Sequence, residues 1–330
     1  MSILVTGGAG YIGSHMVLAL VDAGEDVVVL DDLSTGVRGA VSPKAQLVVG
    51  DVADPSLVLR VIADHDVEEI IHFAAKIVVP DSVTDPLGYY LANTVKSRAL
   101  LAVASEARVP RFVFSSTAAV YGMPKENPVG EDAPTQPISP YGSSKLMTEW
   151  MLRDTAATRD LGYVVLRYFN VAGADPAGRT GQSTPHATHL IKIATEVALG
   201  KRPQMELFGS DYPTPDGTCV RDYVHVTDLV AAHVDALRHL RRGGGNLVLN
   251  CGYGHGHSVL DVLASVTRAA GVELNVKKSP RRPGDPAMLV ARADRIHREL
   301  GWQPKYDDLD TIVRHALAWE RKLPAKSLAA

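Results

Sequence analysis

"VTGGAGYIGSH", residues 5–15, decides the reading of the fold. It follows the apolar run "ILV" (3–5) and opens the amphipathic stretch "YIGSHMVLALVDAG" (11–24), so a glycine turn joins a strand to a helix. Gly7, Gly10 and Gly13 are spaced three and three, slightly wider at the front than the commonest dinucleotide fingerprint. A tight turn needs a residue free at positive φ, backbone must come close to a diphosphate, and helix must pack tightly on strand. The helix N-terminus then turns unpaired N–H groups and a partial positive charge toward the phosphates. A lone glycine turn can be purely structural, so context has to decide. Here the second strand ends on Asp31 and Asp32, an acid about 20 residues past the glycines, placed to accept hydrogen bonds from ribose hydroxyls and to repel a 2′-phosphate. No arginine stands right behind them, the nearest being Arg38. The stretch predicts a dinucleotide site that prefers NAD to NADP.

Working outward, "DVVVL" (26–30), "QLVV" (46–49), "EEIIHF" (68–73), "RFVFSS" (111–116) and "GYVVLRYFNV" (162–171) read as further strands. They are almost wholly apolar, as strands covered on both faces must be. "SLVLRVIADH" (56–65) and "YYLANTVKSRALLAVASEA" (89–107) read as the helices between them. That alternation predicts an α/β fold with a doubly wound, parallel Rossmann-type sheet. After about residue 170 the pattern loosens into a loop rich in Gly, Thr and Pro (173–186), a helix (189–200) and an extended segment, "PDGTCVRDYVHVTD" (215–228). That segment leads into a helix, then a strand, "NLVLNCG" (246–252), and helices at 258–271 and 309–322. The expected division is an NAD-binding domain over 1–170, with returns near 223–252, and a smaller interleaved substrate-binding lobe over most of 171–330.

Composition excludes several classes. The 330 residues carry 34 basic and 37 acidic side chains, a net charge of −3, so no global field recruits nucleic acid or a membrane. "RRGGG" (241–245) and "KKSPRR" (277–282) are short and read as solvated loops. No apolar run approaches the roughly 18 residues a membrane span needs, and the start has no secretory pattern. Cys219 and Cys251 lie far apart without metal spacing, which fits a reducing compartment and a cytoplasmic protein. "HATH" (186–189) and "HGH" (255–257) lack a carboxylate–histidine constellation to complete a metal site, so none is expected.

A second stretch, "SPYGSSK" (139–145), sets Tyr141 and Lys145 four apart at the start of a helix whose Leu146, Trp150 and Leu152 suit one buried face. Residues at i and i+4 share a face. Taken alone, such a pair is more often a surface accident than a catalyst. Together with "TGGAGYIG", "GDVAD" (50–54), "HFAA" (72–75) and "SST…VYG" (115–122), however, the chain resembles the extended short-chain dehydrogenase/reductase family over nearly its whole length. "LRYFNVAGA" (166–174), "FGSDYPTPDGTCVRDYVHVTDL" (208–229) and "RRPGDPAMLVA" (281–291) are similar to that family's UDP-sugar 4-epimerase branch, which interconverts UDP-glucose and UDP-galactose.

The resemblance implies an isomerase with NAD as cofactor, a UDP-sugar as substrate and a homodimeric assembly. On the cofactor it places Gly7, Gly10, Tyr11, Ile12 and Gly13 in the loop, Asp31 and Asp32 at the adenosine ribose, and Asp51 and Val52 near the adenine. Phe73, Ala74, Ala75, Asn93, Lys145 and Phe169 complete that set. On the substrate it places Thr117, Tyr141, Asn170, His189, Arg221, Arg282, Asp285 and Leu289, the two arginines suiting a diphosphate clamp. Thr117 stands where many members carry serine and keeps the hydroxyl. Lys76 and Ile77 depart from the common pattern, in which the lysine falls one place later.

The implied chemistry starts from a C4–H that is not acidic, so C4 is inverted by oxidation to a transient 4-ketone and return of hydride to the opposite face. Tyr141 is then the base on O4, aligned by Thr117, with Lys145 and the nicotinamide charge favouring the phenolate. Bringing a phenol from about 10 to near neutrality takes about 4 kcal/mol. A 4,6-dehydratase would need an acid and a base right after the threonine, where this chain has Ala118 and Ala119. A UDP-glucuronate decarboxylase would need a glutamate at the Ala119 position. A non-catalytic NAD sensor would tend to lose the tyrosine–lysine pair. Leu289 is smaller than the tyrosine some members carry there, which leaves room for an N-acetylated sugar.

Overall fold

The computed structural model describes residues 2–184, 187–282 and 284–324. Seven strands form one sheet: β1 (Ser2–Thr6), β2 (Val27–Asp31), β3 (Gln46–Val49), β4 (Val67–His72), β5 (Arg111–Thr117), β6 (Gly162–Tyr168) and β7 (Leu247–Cys251). Their order is β7-β6-β5-β4-β1-β2-β3, and each neighbouring pair is parallel. The winding direction reverses between β1 and β4, which opens a crevice beyond their C-terminal ends. Helices α1 (Tyr11–Asp22), α2 (Pro55–Asp64), α3 (Lys96–Glu106), α4 (Pro140–Ala156), α5 (Leu190–Ala198), α6 (Val226–Arg241), α7 (Val259–Ala270) and α8 (Leu309–Lys322) complete the main frame.

The pleat explains why the strands are apolar on both sides. Ile3 and Val5 enter a cluster with Met16, Val17, Leu229 and Ala236 of α1 and α6, while Leu4 enters another with Val58, Leu100 and Leu152 of α2, α3 and α4. A third cluster, built on Ile191, Val262, Val266, Ile312 and Val313, joins α5, α7 and α8 into a smaller lobe. Short strand pairs edge that lobe: Asn170–Ala172 beside Tyr223–His225, and Val220–Arg221 between His257–Ser258 and Met288–Leu289. No helix among the described residues is long and apolar enough to cross a membrane.

Three readings need correction. The run 162–171 is two strands, because Phe169 leaves the sheet line to pack with Ala118, Val120, Tyr121, Leu146 and Ala291. The return to the sheet is narrower than 223–252, since Tyr223–His225 pairs outside the main sheet while α6 covers its face and β7 rejoins it. Trp150 is 46% exposed. The buried side of α4 instead carries Ser144, Lys145, Leu146, Thr148, Glu149 and Leu152, so a polar inner face misled a search for apolar periodicity.

Four histidines are buried in this frame. His72 is held between the Thr6 hydroxyl (2.6 Å) and the Ser97 hydroxyl (2.7 Å), and His233 between Leu229 O (2.9 Å) and the Tyr168 hydroxyl (3.0 Å). His15 contacts Tyr11 O at 2.8 Å, and His225 meets His315 at 3.0 Å. Burial lowers His72 and His225 to about 3 and His15 and His233 to about 4. Each imidazole is therefore neutral when folded and protonates at its ordinary pKa only when the chain opens. Their contribution to stability is complete above the unfolded pKa of about 6.5 and is lost as pH falls from there toward the folded values. At about 1.4 kcal/mol per pH unit each, the four together give about 5 kcal/mol per unit. Urea melts should show stability falling steeply below about pH 6, and less steeply in His72→Asn. A flat profile down to about pH 5 would show these rings titrating inside the folded chain.

Candidate active site

The loop after β1 can be built only with glycine at two positions. Gly7 has φ +72°, and a β-carbon on it would lie 2.6 Å from Ala74 N; one on Gly13 would lie 2.1 Å from Gly7 O. Gly10 begins α1 with no side-chain cap. The backbone thus passes bare across the mouth of the crevice, a cradle that fits a diphosphate at the start of α1. Asp31 is buried at the end of β2 and accepts from Ala9 N–H (2.9 Å) and Leu33 N–H (2.8 Å), burial raising its pKa above the usual carboxylate value. It braces the loop through these two bonds. Asp32 is exposed and accepts from the Ser34 N–H and hydroxyl. The Tyr11 hydroxyl donates to Gly173 O at 2.8 Å, and Ile12 packs against the first core cluster.

Around the rest of the crevice, Asp51 pairs with Lys96 at 2.5 Å, and Val52 is buried in the second cluster. Phe73 donates its N–H to Thr6 O (3.0 Å) and lays its ring on His233 at 5.0 Å. Ala74 abuts Gly7, and Ala75 is half-buried. Asn93 lies in a π-helical segment, Tyr90–Val95, and is 1% exposed. Its Oδ1 accepts from Lys76 N–H (2.8 Å), and its Nδ2 donates to Lys76 O (2.9 Å) and Ser144 Oγ (3.0 Å). Its amide is therefore engaged in tying the loop after β4 to α4. The Lys76 side chain turns outward to Asp85 (3.3 Å).

Ser139 caps α4 by accepting from Gly142 N–H (3.2 Å), and Pro140 starts the helix. Tyr141 and Lys145 follow on its inner side. Thr117, at the end of β5, is the side chain that favours ionisation of the Tyr141 phenol, and Thr117 Oγ1 accepts from Ala119 N–H (3.1 Å). Lys145 donates to Ser115 O at 2.8 Å and lies 4.9 Å from the Phe114 ring. Burial raises Tyr141 to about 12, partly offset by Thr117, and lowers Lys145 to about 7. Within the chain, burial is the largest influence on Tyr141, followed by Thr117 and Tyr89.

The remaining residues lie around the smaller lobe. Leu289 is the register partner of Arg221, whose Nη2 lies 3.6 Å from Asp285. Arg282 is exposed over the Phe208 ring at 3.7 Å. Tyr11, Asn170 and His189 line one cavity with Gln182, Lys192 and Trp319; His189 meets Gln182 at 3.2 Å. Phe169 shares its cluster with Leu289. His186 lies outside the described residues. No group of three or more His, Cys, Asp or Glu suited to a metal occurs among the described residues. Sequence reasoning missed Ser116, Ser144, Glu149 and Arg167, although an arginine inside the apolar run "VVLRYF" was a readable sign of a buried charge pair.

Fold and crevice together define a Rossmann-type protein of the dinucleotide-binding class. The chain belongs to the NAD dependent epimerase/dehydratase family, which matches residues 3–252. It is 59% identical to a UDP-glucose 4-epimerase of Azospirillum brasilense over 97% of this chain and 92% of that one. The crystal structure of UDP-glucose 4-epimerase from Brucella ovis in complex with NAD superposes with a TM-score of 0.94 at 43% identity, covering 96% of this chain and 97% of that one. A UDP-Glc/GlcNAc 4-epimerase from Campylobacter jejuni gives 0.85 at 43% identity, covering 98% and 99%.

Proposed function

We propose that the chain is a UDP-glucose 4-epimerase, interconverting UDP-glucose and UDP-galactose through a transient 4-keto sugar with NAD as cofactor. The observation that carries the reading is the placing of Thr117, at the end of β5, where it acts on the Tyr141 phenol at the start of α4, with alanine at 118 and 119 beside it. Two hydroxyls meet where a sugar O4 must lose and regain its proton, and no neighbouring acid–base pair offers the elimination a dehydratase needs.

The cofactor, when bound, supplies the acceptor and donor of the C4 hydride. Gly7, Gly10, Gly13, Tyr11 and Ile12 would hold its diphosphate, Asp31 and Asp32 its adenosine ribose, and Asp51 and Val52 its adenine side. Phe73, Ala74, Ala75, Asn93, Lys145 and Phe169 would frame its other half. Tyr141 takes and returns the O4 proton while Thr117 fixes O4 in line with it. In the chain alone, burial keeps Tyr141 a neutral phenol, so its deprotonation depends on positive charge beside it, from Lys145 and from the bound cofactor. Arg221 and Arg282 clamp the UDP diphosphate by charge-assisted hydrogen bonds, Asp285 orients Arg221, and Asn170, His189 and Leu289 bound the sugar and uridine. Both cysteines are free and buried, which supports a reducing, cytoplasmic setting.

The proposed assembly is a homodimer. Val79, Val83, Leu87, Leu91 and Val95 recur every four residues and are 42%, 64%, 79%, 54% and 51% exposed. The last two sit on the Tyr90–Val95 segment packed beside α4, which carries the exposed Trp150. A second copy of this chain offers the same exposed apolar residues in return, as a twofold interface requires.

Three outcomes test these readings. Purified protein should convert UDP-galactose to UDP-glucose without added NAD, and Tyr141→Phe should lose about 10²–10⁴-fold in kcat while keeping its fold and bound nucleotide. Near-normal turnover by that variant would remove Tyr141 as the base. Wild type should also turn over UDP-N-acetylglucosamine, and Leu289→Tyr should lower kcat/KM for that sugar more than for UDP-glucose; an unchanged ratio would show that residue 289 does not gate the sugar. Light scattering should report a dimer that Leu87→Glu with Leu91→Glu splits to monomers, whereas a monomeric wild type would overturn the interface.

A further inference from the structure

Tyr141, Lys145 and Glu149 form a ladder at successive i, i+4 positions on α4. Lys145 is 2% exposed and Glu149 5%. Arg167 of β6, 6% exposed, forks onto Glu149, with Nε 3.0 Å from Oε1 and 3.2 Å from Oε2, and Nη2 2.6 Å from Oε2. Ser116 of β5 donates its hydroxyl to Oε1. The free edge of the guanidinium continues the network, Nη1 donating to the Tyr121 hydroxyl (3.0 Å), which donates to Asn250 Oδ1 of β7 (2.7 Å).

Two arguments set this pair apart from a simple strut. A buried ion pair is often no more stabilising than apolar side chains of the same volume, so its presence calls for a use beyond stability. In addition, both Glu149 oxygens are occupied by donors, so the group cannot accept a proton from substrate and has only its charge to offer. Lys145 is where that charge acts. Burial pushes the Lys145 ammonium down to about 7, and Glu149 is the group that draws it back up. Other titratable or charged groups on the elements packed around Lys145 include His72 of β4, Tyr168 and Arg167 of β6, and Tyr141 of α4 itself. His72 is neutral between Thr6 and Ser97, Tyr168 is a protonated phenol raised by burial, and Arg167 is committed to Glu149. Glu149 is the carboxylate that acts on Lys145.

We propose that Glu149, locked by Arg167 and Ser116, is a positioning residue for the reaction: from one helical turn away it keeps Lys145 charged on the side of α4 that carries Tyr141. The proposal deepens the epimerase reading and rests on it for its kinetic arm. Glu149→Gln keeps the shape and removes the charge, but it strands a buried guanidinium, so the double variant Glu149→Gln/Arg167→Met is made beside it. Glu149→Asp keeps the charge. Two readouts are taken on the NAD-bound protein: the pH profile of kcat, and the NMR titration of Lys145 Nζ, assigned by its loss in Lys145→Met.

Both glutamine variants should move the Lys145 midpoint, and the kcat limb that follows it, toward acid by about one pH unit or more. The rate at neutral pH should then fall about tenfold and recover on acidification, while Glu149→Asp stays near wild type on both. A purely structural role predicts rate losses uniform across pH with an unmoved Lys145 midpoint, and that result in the folded double variant overturns the proposal. If wild type fails to convert UDP-galactose, the epimerase reading falls while the NMR titration still decides what Glu149 does to Lys145.

Discussion

The whole site hangs on a contact in which there is no room for a side chain. Gly7 meets Ala74 and Gly13 meets the Gly7 carbonyl so closely that a β-carbon on either glycine would overlap backbone. That approach joins the ends of β1 and β4, the two strands between which the winding of the sheet reverses, and it aims the start of α1 across the crevice. Asp31 holds the arrangement from the next strand through the N–H groups of Ala9 and Leu33. A bulkier residue at Gly7 or Gly13 would push apart the two strands that every other site residue is measured from.

The second constraint is the inner face of α4. Ser144, Lys145, Thr148 and Glu149 are all buried there, which would cost heavily if any were left unpaired. Each has a partner on a different element: Asn93 for Ser144, Ser115 for Lys145, Asn93 O for Thr148, Arg167 for Glu149. Satisfying this face fixes α4 against β5, β6 and the Tyr90–Val95 segment at once. Tyr141 then needs no strong bond of its own beyond Thr117 to be held in place. The same burial makes the phenol a poor base unless positive charge stands beside it.

What could be read in the sequence follows from range. The strands of the sheet, the glycine turn and the Tyr141–Lys145 spacing are all decided within a few residues, by apolar runs and by helix geometry, and these match the structure to within a residue or two. The break at Phe169 was invisible because "GYVVLRYFNV" is uniformly strand-like, and only the cluster with Ala118, Leu146 and Ala291 pulls the ring out of line. Trp150 was misplaced for the converse reason. Periodicity assumes that buried means apolar, and the buried face of α4 is satisfied through hydrogen bonds to residues as far away as Asn93 and Arg167. The partnership of Glu149 with Arg167 spans two elements, and no local pattern names it.

The proposed wall on the sugar side is built differently from the face that carries Tyr141, and that difference bears on the proposed specificity. Leu289 sits on a short strand paired with Val220–Arg221 and is bracketed by Asn127, whose side chain donates to Met288 O (3.2 Å) and accepts from Val290 N–H (3.1 Å). Val129 extends the bracket, donating to Val290 O and accepting from Arg292 N–H, each at 2.8 Å. Every one of these contacts is to main chain. The position of residue 289 is therefore set without reference to its side chain, whereas the catalytic face depends on each side chain finding its partner. A change at 289 alters the shape of the wall and leaves its backbone and the Tyr141–Thr117 pair where they were. Sugar preference can thus drift by single substitutions at this strand while the proton-transfer machinery stays intact, an arrangement in which one scaffold serves substrates that differ beside C4 but share the chemistry at C4.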